Sequence, residues 1–323
     1  MELDGDFLKR EKIVEWLRRG NVLLILLFIV VLISLLSERF LTLNNLINVA
    51  EQTAIVAILA IGMTVVMISG GIDLSVGSVM ALAGAIGAGL ISRRGLPMPV
   101  AVLGALLVGA LVGLVNGALI VLGNLPPFVA TLATLAIGRG LTLVYTQGRP
   151  ISGLPESFTF WGTGEMLGLP SLIWVIVVVF ILGVLMLRYT RFGINIYAIG
   201  GNREAARLVG IPVNRRLFGV YVFSGVLAAL AGLLITARLW SAQPQTGSGI
   251  ELDAIAAAVL GGVSLFGGVG NLFGALAGAF IIGILRNGLN LLGIASYPQQ
   301  MIKGGVFILA VVLDMLSRRR RGS

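Results

Sequence analysis

Most polar side chains that could do chemistry in this chain stand inside or at the ends of long apolar runs. Amide, hydroxyl, carboxylate and guanidinium groups in such places can exchange hydrogen bonds with the hydroxyl groups of a small polar solute. These residue types suit transient binding of a solute, and they include no catalytic group such as a nucleophile paired with a base. We take the following residues as candidates for a polar path: Asp73, Ser75, Asn116, Thr131, Arg139, Glu251, Asp253, Arg286, Asn287 and Asn290.

Several of these candidates have a competing structural interpretation. A central charge in a membrane span costs ~2.5–3.5 kcal/mol on insertion scales, so Arg139 and Arg286 must face protein or water, form an ion pair, or extend toward an interface. Asp73 is interpreted as a cap or gate of the helix that follows it, ahead of direct solute contact. The glycine-rich segment 261–270 is interpreted as a helix break, because it lacks the lysine of a phosphate-binding loop.

The composition excludes whole classes of protein. Hydrophobic residues make up 57% and charged residues 11% of the 323 residues, where a soluble domain has roughly 45–50% and about 25%. Cysteine and histidine are both absent, which removes disulfides, thiolate nucleophiles and histidine-based triads or metal sites. We therefore expect a polytopic membrane protein that has no catalytic residue, no cofactor and no metal.

Apolar runs long enough, or nearly long enough, to cross a bilayer predict an all-α fold of ten transmembrane helices within one domain, residues 1–323. The eighth run has only about 14 residues and covers about 21 Å of a ~30 Å hydrocarbon core. The predicted spans are 21–37, 46–69, 76–92, 98–123, 126–147, 171–189, 217–238, 251–264, 270–292 and 300–316.

The basic residues are distributed unequally between the two sides of this predicted arrangement. Fifteen of the 23 lysines and arginines fall in segments 1–20, 188–216 and 318–321, whereas five fall on the opposite side. Because cytoplasmic loops carry the excess of positive charge, we expect both termini, the segment 1–20 and the loop 190–216 to lie in the cytoplasm. The outer loops 149–170 and 239–250 are then candidate docking surfaces for an extracytoplasmic partner.

Two segments of the second half resemble segments of the first half in the same order. GIDLSVGSVMALAG at 71–84 resembles GIELDAIAAAVLGG at 249–262, and residues 103–123 resemble residues 273–293, including an Asn-Gly pair. A five-span repeat enters the membrane in opposite senses, so the pattern indicates an inverted repeat, a common organisation in transporters. The competing interpretation is that helices rich in glycine, alanine and leucine resemble one another by composition alone.

The loop 190–216 contains a short helical pattern between Gly201 and Pro212. Asn202 is a candidate N-cap, and a negative charge at Glu204 suits the first turn. Glu204-Ala205-Ala206 followed by Gly210 resembles the EAA loop of ABC importer permeases, whose short helix docks on the ATP-binding subunit. We take the coupling residues to be Arg203, Glu204, Ala205, Ala206, Arg207 and Gly210.

Across nearly its whole length the chain resembles the ribose-type permease subunits of bacterial ABC sugar importers. GGIDLSVGS (70–78) and ELDAIAAAVLGG (251–262) are the most specific matches. Among ribose, xylose, galactose and signalling-furanone permeases, the overall similarity is greatest to those for ribose. Further matching segments are TLNNLINVAEQT (42–53), FVATLATLAIGRGLTLVYTQG (128–148), YAIGGNREAARLVGI (197–211) and NGLNLLG (287–293).

This resemblance implies a ten-helix permease in the bacterial inner membrane, present as two copies. It also implies a separate cytoplasmic ATPase, an extracytoplasmic sugar-binding protein, and a monosaccharide substrate moved by alternating access. The chain has no G-x-x-x-x-G-K-[ST] motif, so ATP hydrolysis is expected in the partner. The alternatives are an ion-coupled secondary sugar transporter, for which acids buried within a span would be needed, and an intramembrane enzyme, against which the absence of histidine and cysteine counts.

The charge distribution predicts which positions are reached from each side of the membrane. In this cysteine-free chain, a cysteine introduced as Arg203→Cys should react with a membrane-impermeant maleimide only from the cytoplasmic side. A cysteine introduced as Gln245→Cys should react only from outside. Labelling of intact cells and of inverted vesicles distinguishes the two, and reaction of both positions from the same side would contradict the predicted seventh span.

Overall fold

The computed structural model describes residues 22–319, and the predicted cytoplasmic segment 1–20 lies outside that range. The chain is almost entirely helical there. Its helices are α1 (Val22–Leu36), α2 (Leu43–Ile68), α3 (Val76–Ser92), α4 (Met98–Val121), α5 (Pro127–Thr146), α6 (Glu156–Thr163), α7 (Ser171–Tyr189), α8 (Arg191–Gly201), α9 (Arg203–Leu208), α10 (Val213–Arg238), α11 (Ile250–Leu260), α12 (Leu272–Leu291) and α13 (Ser296–Arg319).

Six of the helices between residues 22 and 319 are long and apolar enough to cross a membrane: α2, α4, α5, α7, α10 and α12. The helices α1 and α3 are apolar but shorter. The prediction of a polytopic all-α membrane protein is therefore confirmed, while the count of ten spans stays a prediction. Each of the ten predicted spans nevertheless contains one helix.

The predicted helix break after the short eighth span is confirmed. The helix α11 has only 11 residues and ends at Leu260, and the glycine-rich segment 261–271 is not helical. Gly262, Gly267 and Gly268 have positive φ, a conformation in which only glycine is free of strain. Asn271 then caps α12, because its side-chain oxygen accepts a hydrogen bond from the amide of Gly274 at 2.7 Å.

The helices α2 and α10 form the centre of the molecule. Every residue of α2 from Thr53 to Ile68 is buried, and α10 packs against α2, α3 and α4. The helices α4, α5 and α7 are peripheral and expose many leucine and valine side chains. Such apolar surface suits lipid contact, because lipid tails are as apolar as leucine.

Glycines allow α4 and α10 to approach very closely. A Cβ atom at Gly109 would collide with the carbonyl oxygen of Gly225, and a Cβ atom at Gly225 would collide with that of Gly109. A second such place is one turn along α4, where Gly113 lies against the backbone of Tyr221. This is the small-residue packing by which transmembrane helices gain van der Waals contact.

Two segments that the charge pattern places outside are paired with each other. Ile151 and Ala242 exchange backbone hydrogen bonds of 3.0 and 2.9 Å, which joins the loop after α5 to the loop after α10. Nearby, the strands β1 (Glu165–Met166) and β2 (Leu169–Pro170) form a small antiparallel hairpin. These contacts make one connected surface from the two loops that were predicted as docking surfaces.

The glycine contact between α4 and α10 gives a test of this packing. Gly109→Ala places a methyl group against a carbonyl oxygen that cannot move without the helix, so we expect about 1–3 kcal/mol of destabilisation. Gly140→Ala is the matched control, since a Cβ atom there meets nothing within 4 Å and should be neutral or stabilising. Thermal unfolding of the two purified variants measures the difference, and equal melting temperatures would contradict the close approach.

Candidate functional site

A buried carboxylate lies where the segment 69–75 passes into α3. Asp73 is 1% exposed. One of its oxygens, Oδ1, accepts hydrogen bonds from the amide and the hydroxyl of Ser75 at 3.0 and 2.6 Å. The other, Oδ2, accepts one from the hydroxyl of Ser224 on α10 at 2.7 Å. Asp73 thus binds the amide of Ser75, which is itself the N-cap residue of α3, and not an amide of the first turn, so the interpretation of Asp73 as a helix cap is not confirmed. Its bond to Ser224 ties the segment before α3 to α10.

The hydrogen bonds continue from Asp73 to two further helices. The amide nitrogen of Asn116 on α4 donates to the Ser75 hydroxyl at 2.9 Å, and its amide oxygen accepts from the Thr134 hydroxyl on α5 at 2.7 Å. We call these five residues, Asp73, Ser75, Asn116, Thr134 and Ser224, the Asp73 network. All five are buried, so the network joins α3, α4, α5 and α10 at a place that excludes bulk water.

Thr131 lies beside this network and ties α5 to the segment before α3. It is fully buried, and its hydroxyl is placed to donate to the carbonyl of Pro127 at 2.8 Å, one turn earlier on α5, and to that of Ile72 at 3.3 Å. The predicted path residues Asp73, Ser75, Asn116 and Thr131 are therefore brought together by the fold.

The depth of the Asp73 network follows from its contact with α10. Ser224 is the twelfth residue of a 26-residue helix, so it lies about 17 Å from the first residue at 1.5 Å per residue. Within residues 22–319 no arginine or lysine forms an ion pair with Asp73. Three hydrogen bonds to the carboxylate replace water there, as buried charge requires.

The asparagine of the other Asn-Gly pair, Asn287, lies in a buried pair of amides. The amide groups of Asn287 on α12 and Asn45 on α2 exchange two hydrogen bonds of 2.8 and 3.0 Å. Both side chains are buried. Asn290, one turn further along α12, is exposed and accepts a hydrogen bond from Gln299 at 2.8 Å. The two predicted path residues of this helix that follow Arg286 thus point to different surroundings.

Arg139 on α5 holds the loop that precedes α11. Its Nη1 atom donates to the carbonyl oxygens of Pro244 and Thr246 at 3.0 and 2.9 Å. Glu251, in the first turn of α11, is half-buried and interacts electrostatically with Arg139. Asp253, also in that turn, is buried. Arg139 is therefore satisfied by backbone carbonyls and a nearby carboxylate.

The starts of α3 and α11 meet in the interior. A Cβ atom at Gly77 would collide with the carbonyl oxygen of Gly247 and would lie 2.6 Å from a carboxylate oxygen of Glu251. The two Gly-Ile-acid-Leu segments that resemble each other in sequence therefore begin helices whose first turns are in contact.

Arg286 stands apart from these clusters. It is exposed on α12, and among the side chains that the structure describes it has no hydrogen bond or ion pair. Asn290 lies four residues later and shares its helix face. Arg238, the last residue of α10, does have a partner, since it forms a 3.1 Å ion pair with Glu51.

The predicted coupling loop forms two helices, α8 and α9. The side chain of Asn202 accepts a hydrogen bond from the amide of Ala205 at 2.9 Å, which confirms the predicted N-cap. Glu204 and Arg207 form an exposed ion pair of 3.0 Å, which contributes little stability because water screens it. Arg203 and Ala205 are exposed as well. Gly210 has φ +81° and ends the helix.

The surface of this loop differs from the one that the motif suggests. Ala206 is buried against Val121, Val213 and Leu217, so it anchors α9 and is not available for docking. The exposed apolar side chains are instead Leu208 and Val209, at 89% and 76% exposure.

The loop is also fastened to the glycine-rich segment after α11, because the hydroxyl of Tyr197 on α8 donates to the carbonyl of Gly270 at 2.8 Å. The same segment is bound to the end of α2, where the amide of Gly268 donates to the carbonyl of Ile68 at 2.9 Å. Burial raises the pKa of Tyr197 above its ordinary value, so the phenol stays a hydrogen-bond donor at neutral pH.

Five residues with a place in these clusters were not predicted from the sequence. Three form buried hydrogen bonds and two form the exposed apolar surface of the loop: Thr134, Ser224, Asn45, Leu208 and Val209. Thr134 was accessible to prediction, because it lies three residues after Thr131 and shares its helix face. Ser224 and Asn45 give no such signal, since their partners are 151 and 242 residues away in sequence.

Comparison with known proteins agrees with a permease. A family described as the permease component of branched-chain amino acid transport systems matches residues 45–311. The ribose import permease protein of Escherichia coli K12 is 48% identical over 93% of this chain and 94% of its own. That of Bacillus subtilis 168 is 48% identical over 90% of both chains. The D-allose transport system permease protein of E. coli K12 is 39% identical over 93% and 92%.

No solved structure matches the chain significantly. The match to the family covers most of the chain, and the similarity to these relatives extends over nine-tenths of it. The chain therefore belongs to this family of membrane permease components, and it is a multi-pass protein of the bacterial inner membrane.

Proposed function

We propose that this chain is the membrane subunit of an ATP-driven importer and that its substrate is ribose. The observation that carries the proposal is the ranking of identities: two ribose import permeases are 48% identical, and the D-allose permease is 39% identical. The family description refers to branched-chain amino acids, but the ribose and D-allose permeases compared above, which are similar over at least nine-tenths of the chain, are named for sugars. The subunit translocates the sugar and breaks no covalent bond.

Substrate choice is tested by uptake into proteoliposomes. The chain is reconstituted with its ATPase and sugar-binding partners, and uptake of labelled ribose is compared with that of allose, xylose and leucine. Preferential ATP-dependent accumulation of ribose is expected. Accumulation of leucine alone would reject a sugar importer.

The architecture that we propose has ten spans in two inverted repeats, with both termini in the cytoplasm. Two features support the repeat. The first turns of α3 and α11 contact each other through Gly77, Gly247 and Glu251. In addition, Asn116 on α4 and Asn287 on α12 are both buried and both join two helices by amide hydrogen bonds. Related helices that meet at a pseudo-two-fold axis are where transporters of this kind move their substrate.

The predicted path residues then have two kinds of role. Asp73, Ser75, Asn116, Thr131 and Asn287 hold helices together by buried hydrogen bonds, and Arg139 binds the loop before α11 beside Glu251, while Asp253 is buried in the first turn of α11. Arg286 and Asn290 lie on an exposed face of α12. Because a charged side chain is costly in lipid, we infer that this face lines the water-filled path of a homodimer.

Coupling to ATP hydrolysis is assigned to α9 and the turn after it, residues 203–210. The support is the exposed pair Leu208 and Val209 beside the charges of Arg203, Glu204 and Arg207. An exposed apolar patch surrounded by charged residues is typical of a docking surface. The connected outer surface around Ile151 and Ala242 is assigned to the sugar-binding partner.

One observation favours ion coupling as a second candidate. Asp73 is buried beside Ser224, near the middle of α10, and has no cationic partner among the described side chains. Ion-coupled transporters use buried acids of this kind. The two oxygens of Asp73 nevertheless have three hydrogen-bond donors. Uptake that requires ATP and persists when the proton and sodium gradients are collapsed would exclude this candidate.

The docking assignment predicts the effect of charge in the exposed turn. Leu208→Glu and Val209→Glu should keep the protein folded, because neither side chain packs in the interior, but should lower ribose-stimulated ATP hydrolysis and uptake by about tenfold or more, the range of a lost interface anchor. Asn214→Glu, at an exposed position at the start of α10, introduces the same charge as a control. Equal activity of all three variants would contradict docking through this turn.

The assignment of the α12 face predicts that water reaches Arg286. A cysteine introduced as Arg286→Cys should react with a membrane-impermeant thiol reagent. The control Leu107→Cys, at a 61% exposed position of the apolar helix α4, should remain unreacted because it faces lipid. Reaction at both positions, or at neither, would show that the α12 face is not distinguished from lipid-facing surface.

A further inference from the structure

A cavity of about 230 Å³ lies next to α9, away from the meeting point of α3 and α11. It is bounded by the end of α2, the first residue of α5, the junction of α8 and α9, and the first half of α10. Its volume equals that of about eight water molecules at ~30 Å³ each, the size class of a monosaccharide. The polar residues that line it are Ser69, Asn202, Arg203 and Tyr221.

The floor of the cavity carries a phenol group without a hydrogen-bond partner. Tyr221 is 1% exposed, and its hydroxyl has no partner among residues 22–319. Gly71 lies directly against that hydroxyl, where a Cβ atom would collide with it. Buried phenol hydroxyls usually find a partner, and an unmet one costs about 1–3 kcal/mol. The hydroxyl is therefore available to a ligand in the cavity.

The other polar groups have bonding capacity that matches a neutral polyol. The Ser69 hydroxyl donates to the carbonyl of Val66 at 2.7 Å, so its oxygen can still accept. The Asn202 side chain caps α9 with its oxygen, which leaves its amide nitrogen to donate. The lining contains no carboxylate, and apolar contact is available from Ile199 and Leu217.

The mouth of the cavity lies on the side of α9. Five lining residues are exposed there, namely Gly70, Gly201, Asn202, Arg203 and Phe266. Behind its floor lie Val66, Asp73 and Ser224, each at most 1% exposed. A solute can therefore enter from the side on which α9 lies, but the packed interior closes the way to the opposite side.

We propose that this cavity is a binding site for the transported monosaccharide after its release, entered from the cytoplasm. The proposal rests on the proposed function for the identity of the sugar and for the side of the membrane. A sugar bound to Tyr221 would also contact Asn202 and Arg203, the cap and the first residue of α9. The occupancy of the cavity, and hence the concentration of sugar in the cytoplasm, would thus affect the segment that couples to the ATPase.

The absence of cysteine makes a direct test possible. Gly201→Cys places a thiol at the mouth of the cavity, where a Cβ atom meets nothing within 4 Å. In inverted vesicles that contain the complete transporter, we expect ribose to slow its alkylation about fourfold at three times the dissociation constant, because the free fraction falls as 1/(1 + [L]/Kd). Adding Tyr221→Phe should raise the half-protecting ribose concentration about three- to tenfold, as for one lost hydrogen bond.

The control is Asn214→Cys, which is exposed on the same loop but does not line the cavity. Its alkylation should not respond to ribose. Equal slowing at both positions, no slowing at position 201, protection by inorganic phosphate in place of ribose, or unchanged protection with Tyr221→Phe would each overturn the site. Ribose uptake by the unaltered chain is measured alongside: uptake without protection rejects the cavity alone, whereas absence of ribose uptake rejects the proposed function.

Discussion

The hydrocarbon core of a bilayer offers no hydrogen-bond partners, so each polar group placed there must be satisfied by the protein itself. This constraint explains where the polar side chains of the present chain lie. Asp73 takes its three hydrogen bonds from two serines. Arg139 binds two carbonyl groups of a loop that lacks helical hydrogen bonds. In both cases the polar side chain forms hydrogen bonds with backbone groups of a non-helical segment, so the side chain and the backbone satisfy each other.

The same constraint connects the glycines to the polar network. The hydroxyl of Ser224 reaches Asp73 only because α3 and α10 lie almost in backbone contact. Two turns further along, a Cβ atom at Gly84 or Gly232 would collide with the other helix. Next to Ser224, Gly225 allows α4 to come equally close, which brings Asn116 to Ser75. Larger residues at these positions would separate the helices by more than a hydrogen bond can span.

The parts of the fold that depend on local patterns were predictable, and those that depend on distant partners were not. Hydropathy predicts spans at 76–92 and 171–189, and the structure has Val76–Ser92 and Ser171–Tyr189. The helix α10 begins four residues before its predicted start at 217, because its first turn is charged and carries no apolar signal. Arg216 there is accommodated over the ring of Phe192 on α8, at 5.9 Å. The partners of Asp73 and Asn287 come from helices whose neighbourhood no local pattern encodes.

The contacts of the proposed coupling loop connect α9 to the interior of the protein. Ala206 and Val213 bury α9 against α4 and α10. On the other side of the cap, a Cβ atom at Gly200 would collide with the carbonyl oxygen of Ile68 at the end of α2. A displacement of the exposed turn at Leu208 is therefore transmitted by direct contact to α2, α4 and α10. Of these helices, α4 and α10 contribute Asn116 and Ser224 to the Asp73 network, and α2 ends five residues before Asp73. Tightly packed backbones shift as units because they have no side chains between them to deform. Hence the glycines that let the helices meet also make the loop and the core one mechanical unit.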